Sequence, residues 1–171
     1  MIPRKKESIL YYIRYVNFSL KFTFVTLFPN LIEPYFHDSI LKRAIESNFI
    51  SYEFYNPRDF TTNKHKKVDD QMVGGGAGML LSCQPLFDCL DEIKSKNKDA
   101  YIVFPLAAAK PFRQNDAKRL AKKKNIVFVS GRYEGIDERV IEKYANEVFS
   151  IGEFVLTGGE LPSLVMADAI A

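Results

Sequence analysis

Ile126-Val127-Phe128-Val129-Ser130-Gly131-Arg132-Tyr133-Glu134-Gly135-Ile136-Asp137-Glu138-Arg139 is the stretch that decides the fold. Its first four residues form a short apolar run of the kind that makes a buried strand. Two glycines then bracket a turn, and Asp137-Glu138 supplies the acidic start of a helix. The pattern recurs downstream. Val148-Phe149-Ser150-Ile151 reads as a strand, Gly152 to Gly159 as a turn, and a helix is expected to open at Pro162, since proline suits the first helical position. A strand, a glycine turn and a helix start together bring backbone donors and a positive dipole end to a bound ligand. Two such turns side by side predict a binding crevice at the carboxyl ends of parallel strands.

Working outward, the globular pattern begins at Lys21, where Phe22 to Phe28 makes a strand ended by Pro29-Asn30. Leu31 to Ser47 has helical spacing of Leu31, Ile32, Tyr35, Ile40, Leu41, Ala44 and Ile45, with Pro34 near its start. Ile50 to Tyr55 alternates as a short strand. Asn56 to Gly78 is expected to be irregular, and a loop that long in a compact domain is functional or disordered. Pro85 to Lys94 reads as a helix, Tyr101 to Phe104 as a buried strand, and Asn115 to Lys124 as a basic helix. The order predicts an α/β fold, a mostly parallel sheet with helices on both faces.

A chain of 171 residues suits one such domain with a short appendage over residues 1–20. With 47% hydrophobic and 13% aromatic residues it can bury a sizeable core, which argues against intrinsic disorder. The net charge of +3 resides in Arg4, Lys5, Lys6 and Arg14 against Glu7. The remainder is neutral, so nucleic-acid affinity must come from local patches. Cys83, Cys89, His37 and His65 show no zinc-ligand spacing. The cysteines read as buried thiols of a reducing cytosol. No run is long enough to span a membrane, and Arg14 interrupts the one faintly signal-like segment. A cytoplasmic protein is expected.

Most nucleotide readings of the glycine clusters fail. Gly78 is followed by Met79-Leu80-Leu81, not by the Lys-Ser/Thr of a phosphate-binding loop. Gly74 to Gly78 follows a loop, not a strand, and so does not match the dinucleotide fingerprint. It is either a tight turn or a backbone surface for a planar ligand, and spacing leaves both open. In the 131–135 turn, Arg132 and Glu134 should be exposed. Glu134 there can accept hydrogen bonds from ribose hydroxyls or an amino group, or the pair can form a loop salt bridge of little energetic value. Arg58-Asp59 is a similar bridge, or a phosphate ligand held by its neighbour. Lys118, Arg119, Lys122, Lys123 and Lys124 form a solvated helix face, or one that meets a nucleic-acid backbone.

Gly131 to Val140 and Ile151 to Pro162 closely resemble the bacterial tRNA (guanine-N1)-methyltransferase family. Phe24 to Pro29, Asn56 to Phe60, Val68-Asp69-Asp70 and Gly74 to Met79 match it in the same order, so that the resemblance runs from Lys21 to Ala171. It implies a methyltransferase domain of the SPOUT class with a deep trefoil knot, a homodimer with active sites between subunits, and transfer of the methyl of S-adenosylmethionine to N1 of guanine 37 in tRNA. By that likeness Phe104, Gly131, Tyr133, Glu134 and Gly135 would hold the methyl donor. So would Ile151, Gly152, Glu153, Phe154, Val155 and Leu156, with Gly158 and Gly159. Arg58, Asp69, Asp70, Gly74, Gly75 and Gly76 would lie by the tRNA or shape the guanine site. No resident metal is implied; a divalent ion such as Mg would leave no signature in the sequence. The runner-up is a donor-binding or RNA-binding fragment without catalysis.

The sequence departs from the family in three places. Pro105-Leu106-Ala107-Ala108-Ala109 replaces the family's Leu-Ser-Pro-x-Gly, leaving shape and backbone groups to serve the donor there. The family's presumed aspartate base, its linker and its small tRNA-binding domain correspond to sequence past Ala171, so no catalytic residue is assigned. The last helix shows no stop signal, so a longer natural chain is expected. Residues 1–20 have no counterpart, and Leu20 stands at the family's initiating position, so a leucine-type start codon is expected there.

Overall fold

The computed structural model describes residues 19–71 and 78–171. Five strands form one parallel sheet: β1 (Leu20–Val25), β2 (Ile50–Tyr55), β5 (Tyr101–Pro105), β6 (Asn125–Val129) and β7 (Glu147–Phe149), in the order β2-β1-β6-β5-β7. Two short strands, β3 (Asp69–Gln71) and β4 (Met79–Leu81), pair antiparallel beside it. β6 is buried along its whole length, as a run of Ile, Val and Phe must be when both neighbours are strands and both faces are covered.

Alternation divides the core in two. Ile126 and Phe128 join Phe22, Phe24 and Phe36 on one face. That face is covered by the 29–37 segment and by helices α1 (Ser39–Glu46), α3 (Gln114–Leu120) and α5 (Glu160–Ile170). Val127 and Val129 join Ile102 and Phe104 on the other, under α2 (Cys83–Lys96) and α4 (Glu138–Tyr144). Helices thus cover both faces, as expected. Register brings Phe24 between Phe54 and Phe128, its ring centroids 5.7 Å and 5.6 Å from theirs. Such aromatic contacts add to the area each ring buries.

Several expected elements are corrected. The helix read over Leu31–Ser47 is split into two 3-10 turns, Pro29–Leu31 and Glu33–His37, followed by α1. Proline at 34 lacks an N–H and disfavours helix in the residue before it. Asp38, extended at φ −142°, restarts the helix by accepting from the Ser39 amide at 2.6 Å. The 56–78 loop is not wholly irregular: it holds a 3-10 turn at Pro57–Asp59 and contributes β3. The basic helix stops at Leu120, short of Lys124. β1 begins at Leu20 and ends at Val25, and β7 ends at Phe149 instead of Ile151. The last helix opens at Glu160, two residues before Pro162.

Candidate donor-binding crevice

Beyond Val129 the β6 chain stays paired for one more residue, Ser130 donating to the Val25 carbonyl at 2.9 Å. It then closes on itself, Gly135 donating to the Arg132 carbonyl at 3.1 Å. That closure needs left-handed backbone, found at Tyr133 (φ 61°) and at Gly135 (φ 138°), where glycine carries no steric penalty. β4 supports the turn: the Glu134 amide donates to Met79 at 3.0 Å, and Leu81 donates to Gly135 at 3.0 Å. Asp137 caps α4 by accepting from the Arg139 amide at 3.1 Å. The Arg139 guanidinium beside it holds the Asp137 carboxyl well below the usual carboxylate range.

The second segment leaves β7 at Phe149. Ser150 donates to the Lys110 carbonyl at 2.9 Å and accepts from Phe112 at 2.8 Å, so the chain is anchored before it turns out into solvent. It returns at Gly158-Gly159. There the Gly159 amide donates to the Gly131 carbonyl at 2.8 Å. Two buried hydroxyls brace the junction: Ser163 Oγ donates to the Gly159 carbonyl at 2.7 Å and lies 3.0 Å from Ser130 Oγ.

Between these segments, at the carboxyl ends of β5, β6 and β7, lies a crevice. Its walls are Pro105 to Ala107, Gly131 to Ile136, Phe149 to Ile151, Phe154 to Leu156, Gly158-Gly159 and Pro162. Of the residues expected to hold a donor, Gly131, Tyr133, Glu134, Gly135, Ile151, Phe154, Val155, Leu156, Gly158 and Gly159 are brought together there. Three stand outside the lining. Phe104 is fully buried on the α2 and α4 side of the sheet, because strand alternation points it into the core. Gly152 and Glu153 lie on the outward bend of the second segment. The crevice also includes Leu106 and Ala107, in the loop where the sequence departs from the family. Their contribution is apolar surface and backbone, which a side-chain motif cannot advertise.

Arg132 was expected to be exposed, but its side chain is only 19% accessible and it pairs with Glu160, at 3%. Nε and Oε2 are 2.8 Å apart but not aligned as a hydrogen bond. Arg132 Nη1 donates to the Thr157 carbonyl at 3.2 Å, and its guanidinium lies 4.6 Å from the Phe28 ring centre. Glu160 also accepts from Thr26 Oγ1 at 2.8 Å. Sequence reading missed this contact because Thr26 and Glu160 are 134 residues apart.

The residues expected on the substrate side are more dispersed. Arg58 lies 5.9 Å from the same Phe28 ring. Asp59 does not hold it: no ion pair joins them. Asp69 and Asp70 border a separate shallow polar recess with Thr61, Lys67, Ser82 and Gln84. Gly74, Gly75 and Gly76 lie outside the described residues. Among the described residues no three His, Cys, Asp or Glu side chains are grouped as metal ligands. None of the described helices is long and apolar enough to cross a membrane. On the basic helix, Arg119 is drawn to Glu147 at 2.6 Å and Lys123 lies 4.2 Å from the Tyr101 ring centre.

A family model described as tRNA (Guanine-1)-methyltransferase TrmD matches residues 20–171. The tRNA (guanine-N(1)-)-methyltransferase of Sulfurimonas denitrificans is 65% identical over 152 residues, covering 89% of this chain and 66% of that protein. Its namesake from Campylobacter jejuni is 60% identical over 151 residues, covering 88% and 64%. The crystal structure of tRNA (m1G37) methyltransferase from Aquifex aeolicus superimposes with a TM-score of 0.81 at 32% identity, over 89% of this chain and 68% of that one. The chain therefore spans about two thirds of the length of the curated relatives it matches. With most of its length aligned and the fold shared, the chain belongs to the tRNA (guanine-1)-methyltransferase family.

Proposed function

We propose that this chain is the donor-binding domain of an enzyme that transfers a methyl group from S-adenosylmethionine to N1 of guanine 37 in tRNA. One observation carries the reading: the 131–136 and 150–159 segments, distant in sequence, converge on one crevice at the strand ends. The residues fit a nucleoside-bearing donor. Gly158 and Gly159 contribute backbone to the lining and let the neighbouring turns close against it, and Leu106, Ala107 and Ile151 offer apolar walls. Bound donor supplies an electrophilic methyl on a sulfonium. The chain's own task is alignment: the crevice fixes one partner so that N1 meets the methyl carbon in line. Guanine N1 is protonated at neutral pH, so a general base must receive that proton. The target base leaves its stack to reach the crevice, and Arg58 beside Phe28 faces the tRNA, as do Asp69 and Asp70 in their separate polar recess.

The reading includes the trefoil knot of the SPOUT class, a cytoplasmic location and a homodimer. Exposed apolar side chains support the dimer: Leu161 and Val165 on α5, with Tyr35 hydrogen-bonded to the same helix at Asp168, and also Leu31 (59% accessible) and Val155 (84%), the latter lining the crevice. Large apolar side chains that share an exposed helix face, as Leu161 and Val165 do, mark interaction surfaces. Calorimetric titration with S-adenosylmethionine, beside a methyl-transfer assay on unmodified tRNA, tests the proposal. Saturable binding at one site per chain is the expected result; absence of binding refutes it. Binding without transfer would favour a fragment that holds the donor but lacks the base.

A further inference from the structure

Glu160 is the single charged side chain among the described residues that is buried, at 2% accessibility. It does not line the crevice. A buried carboxylate opposite a guanidinium is a poor way to gain stability, since desolvation offsets the attraction, and apolar replacements do as well or better. Its position suggests another use. Thr26, just past β1, donates to one oxygen at 2.8 Å. Arg132, from the turn after β6, lies 2.8 Å from the other. Arg132 in turn reaches the Thr157 carbonyl and covers Phe28, the ring that Arg58 also approaches. A Cβ at Gly158 would lie 2.5 Å from Arg132 Nε and 2.7 Å from Glu160 Oε2. Glycine there leaves room for the pair.

We infer that Glu160 is a positioning residue: acting through Arg132, it sets the separation of the 131–136 and 157–159 turns, and so the affinity for the donor. This rests on the donor-binding reading above. Glu160→Gln keeps the shape and an acceptor for Thr26 but removes the charge that holds Arg132. Arg132→Gln removes the other partner.

The test is calorimetric titration of S-adenosylmethionine into the 171-residue chain, the two single variants and the double variant. Each single variant is expected to bind about tenfold more weakly, and the double variant also about tenfold, because a pair acting as one unit is lost only once. Glu160→Asp, which keeps the charge on a shorter stem, should recover affinity to within about threefold of wild type, an outcome that lost packing alone would not give. Singles that bind like wild type, or losses that multiply to about a hundredfold in the double variant, overturn the inference. Should Glu160→Gln fail to fold by circular dichroism, Thr26→Val removes only one hydroxyl. It should weaken binding several-fold, and unchanged affinity overturns the inference equally. A wild-type chain that does not bind the donor overturns the donor reading itself, and this inference with it.

Discussion

Gly159 donates its backbone N–H to the carbonyl of Gly131 across 2.8 Å, joining the turn after β6 to the turn before α5. A Cβ on Gly159 would lie 2.6 Å from the Gly131 nitrogen and 2.8 Å from Ser130 Cα, which are backbone atoms that cannot swing aside. The contact therefore fixes both the residue type and the width of the crevice.

Gly159→Ala should force the two turns apart. Overpacking of this kind destabilises by about 1–3 kcal/mol, and urea denaturation should register it together with a loss of donor affinity. Gly152→Ala is the contrast. The nearest atoms its Cβ would meet belong to the ring of Phe154, a side chain that is 54% accessible and can turn aside into solvent. A change within about 0.5 kcal/mol is expected there, although the sequence pattern alone treats the two glycines alike.

Arg58 makes no ion pair among the described residues and stands over the ring of Phe28, itself an exposed side chain. Arg58→Ala should weaken binding of an anticodon stem-loop RNA and lower the slope of log K against log salt by about 1, as expected for one lost phosphate contact. Donor affinity should stay within about twofold. Equal loss of both ligands, measured by titration at three salt concentrations, would mean that Arg58 acts through the fold.

Leu161 and Val165 lie one turn apart on α5 and are 55% and 43% accessible, beside Tyr35, whose hydroxyl reaches Asp168 at 3.2 Å. If this face is the dimer contact, Val165→Glu places an unpaired charge in it, a change that costs several kcal/mol when desolvated. Sedimentation velocity should then show a monomer where wild type sediments as a dimer. A wild-type monomer would refute the homodimer reading.

Glu147 is tied to Arg119, Lys110 and Tyr101. Burial by itself would raise its carboxyl, but hydrogen bonds from Arg119, Tyr101 and Lys110 outweigh burial and hold it at about 2, below its ordinary 4.5. A carboxyl depressed in the folded state contributes stability that is complete above its unfolded pKa and is lost as pH falls through the folded one. The melting temperature of wild type should thus fall between pH 4.5 and pH 2 more steeply than that of Glu147→Gln. Parallel curves for the two proteins would show that the cluster contributes nothing.

Much of this architecture was legible in the amino-acid order. Ile126 to Val129 had to be a buried strand because apolar residues on both alternating faces require cover on both sides. The glycines of 131–135 and 158–159 had to be turns, and their family likeness carried the crevice with them. Less visible was where elements stop. Strand ends depend on neighbours: β7 ends at Phe149 because Ser150 is claimed by Lys110 and Phe112 from another loop. Pro34 and Asp38 divided a helix that periodicity read as continuous.

The sequence by itself determined the fold class, the family and the two segments that make the crevice. Strand periodicity, glycine turns and long ordered motifs are local properties that survive without coordinates. Only the tertiary structure decided that Arg132 turns inward, that Glu160 is buried beside Thr26, and that Phe104 belongs to the core while Leu106 and Ala107 line the site. Those outcomes depend on which segments lie next to each other after folding. Contacts that span up to 134 residues leave no periodic trace in the chain.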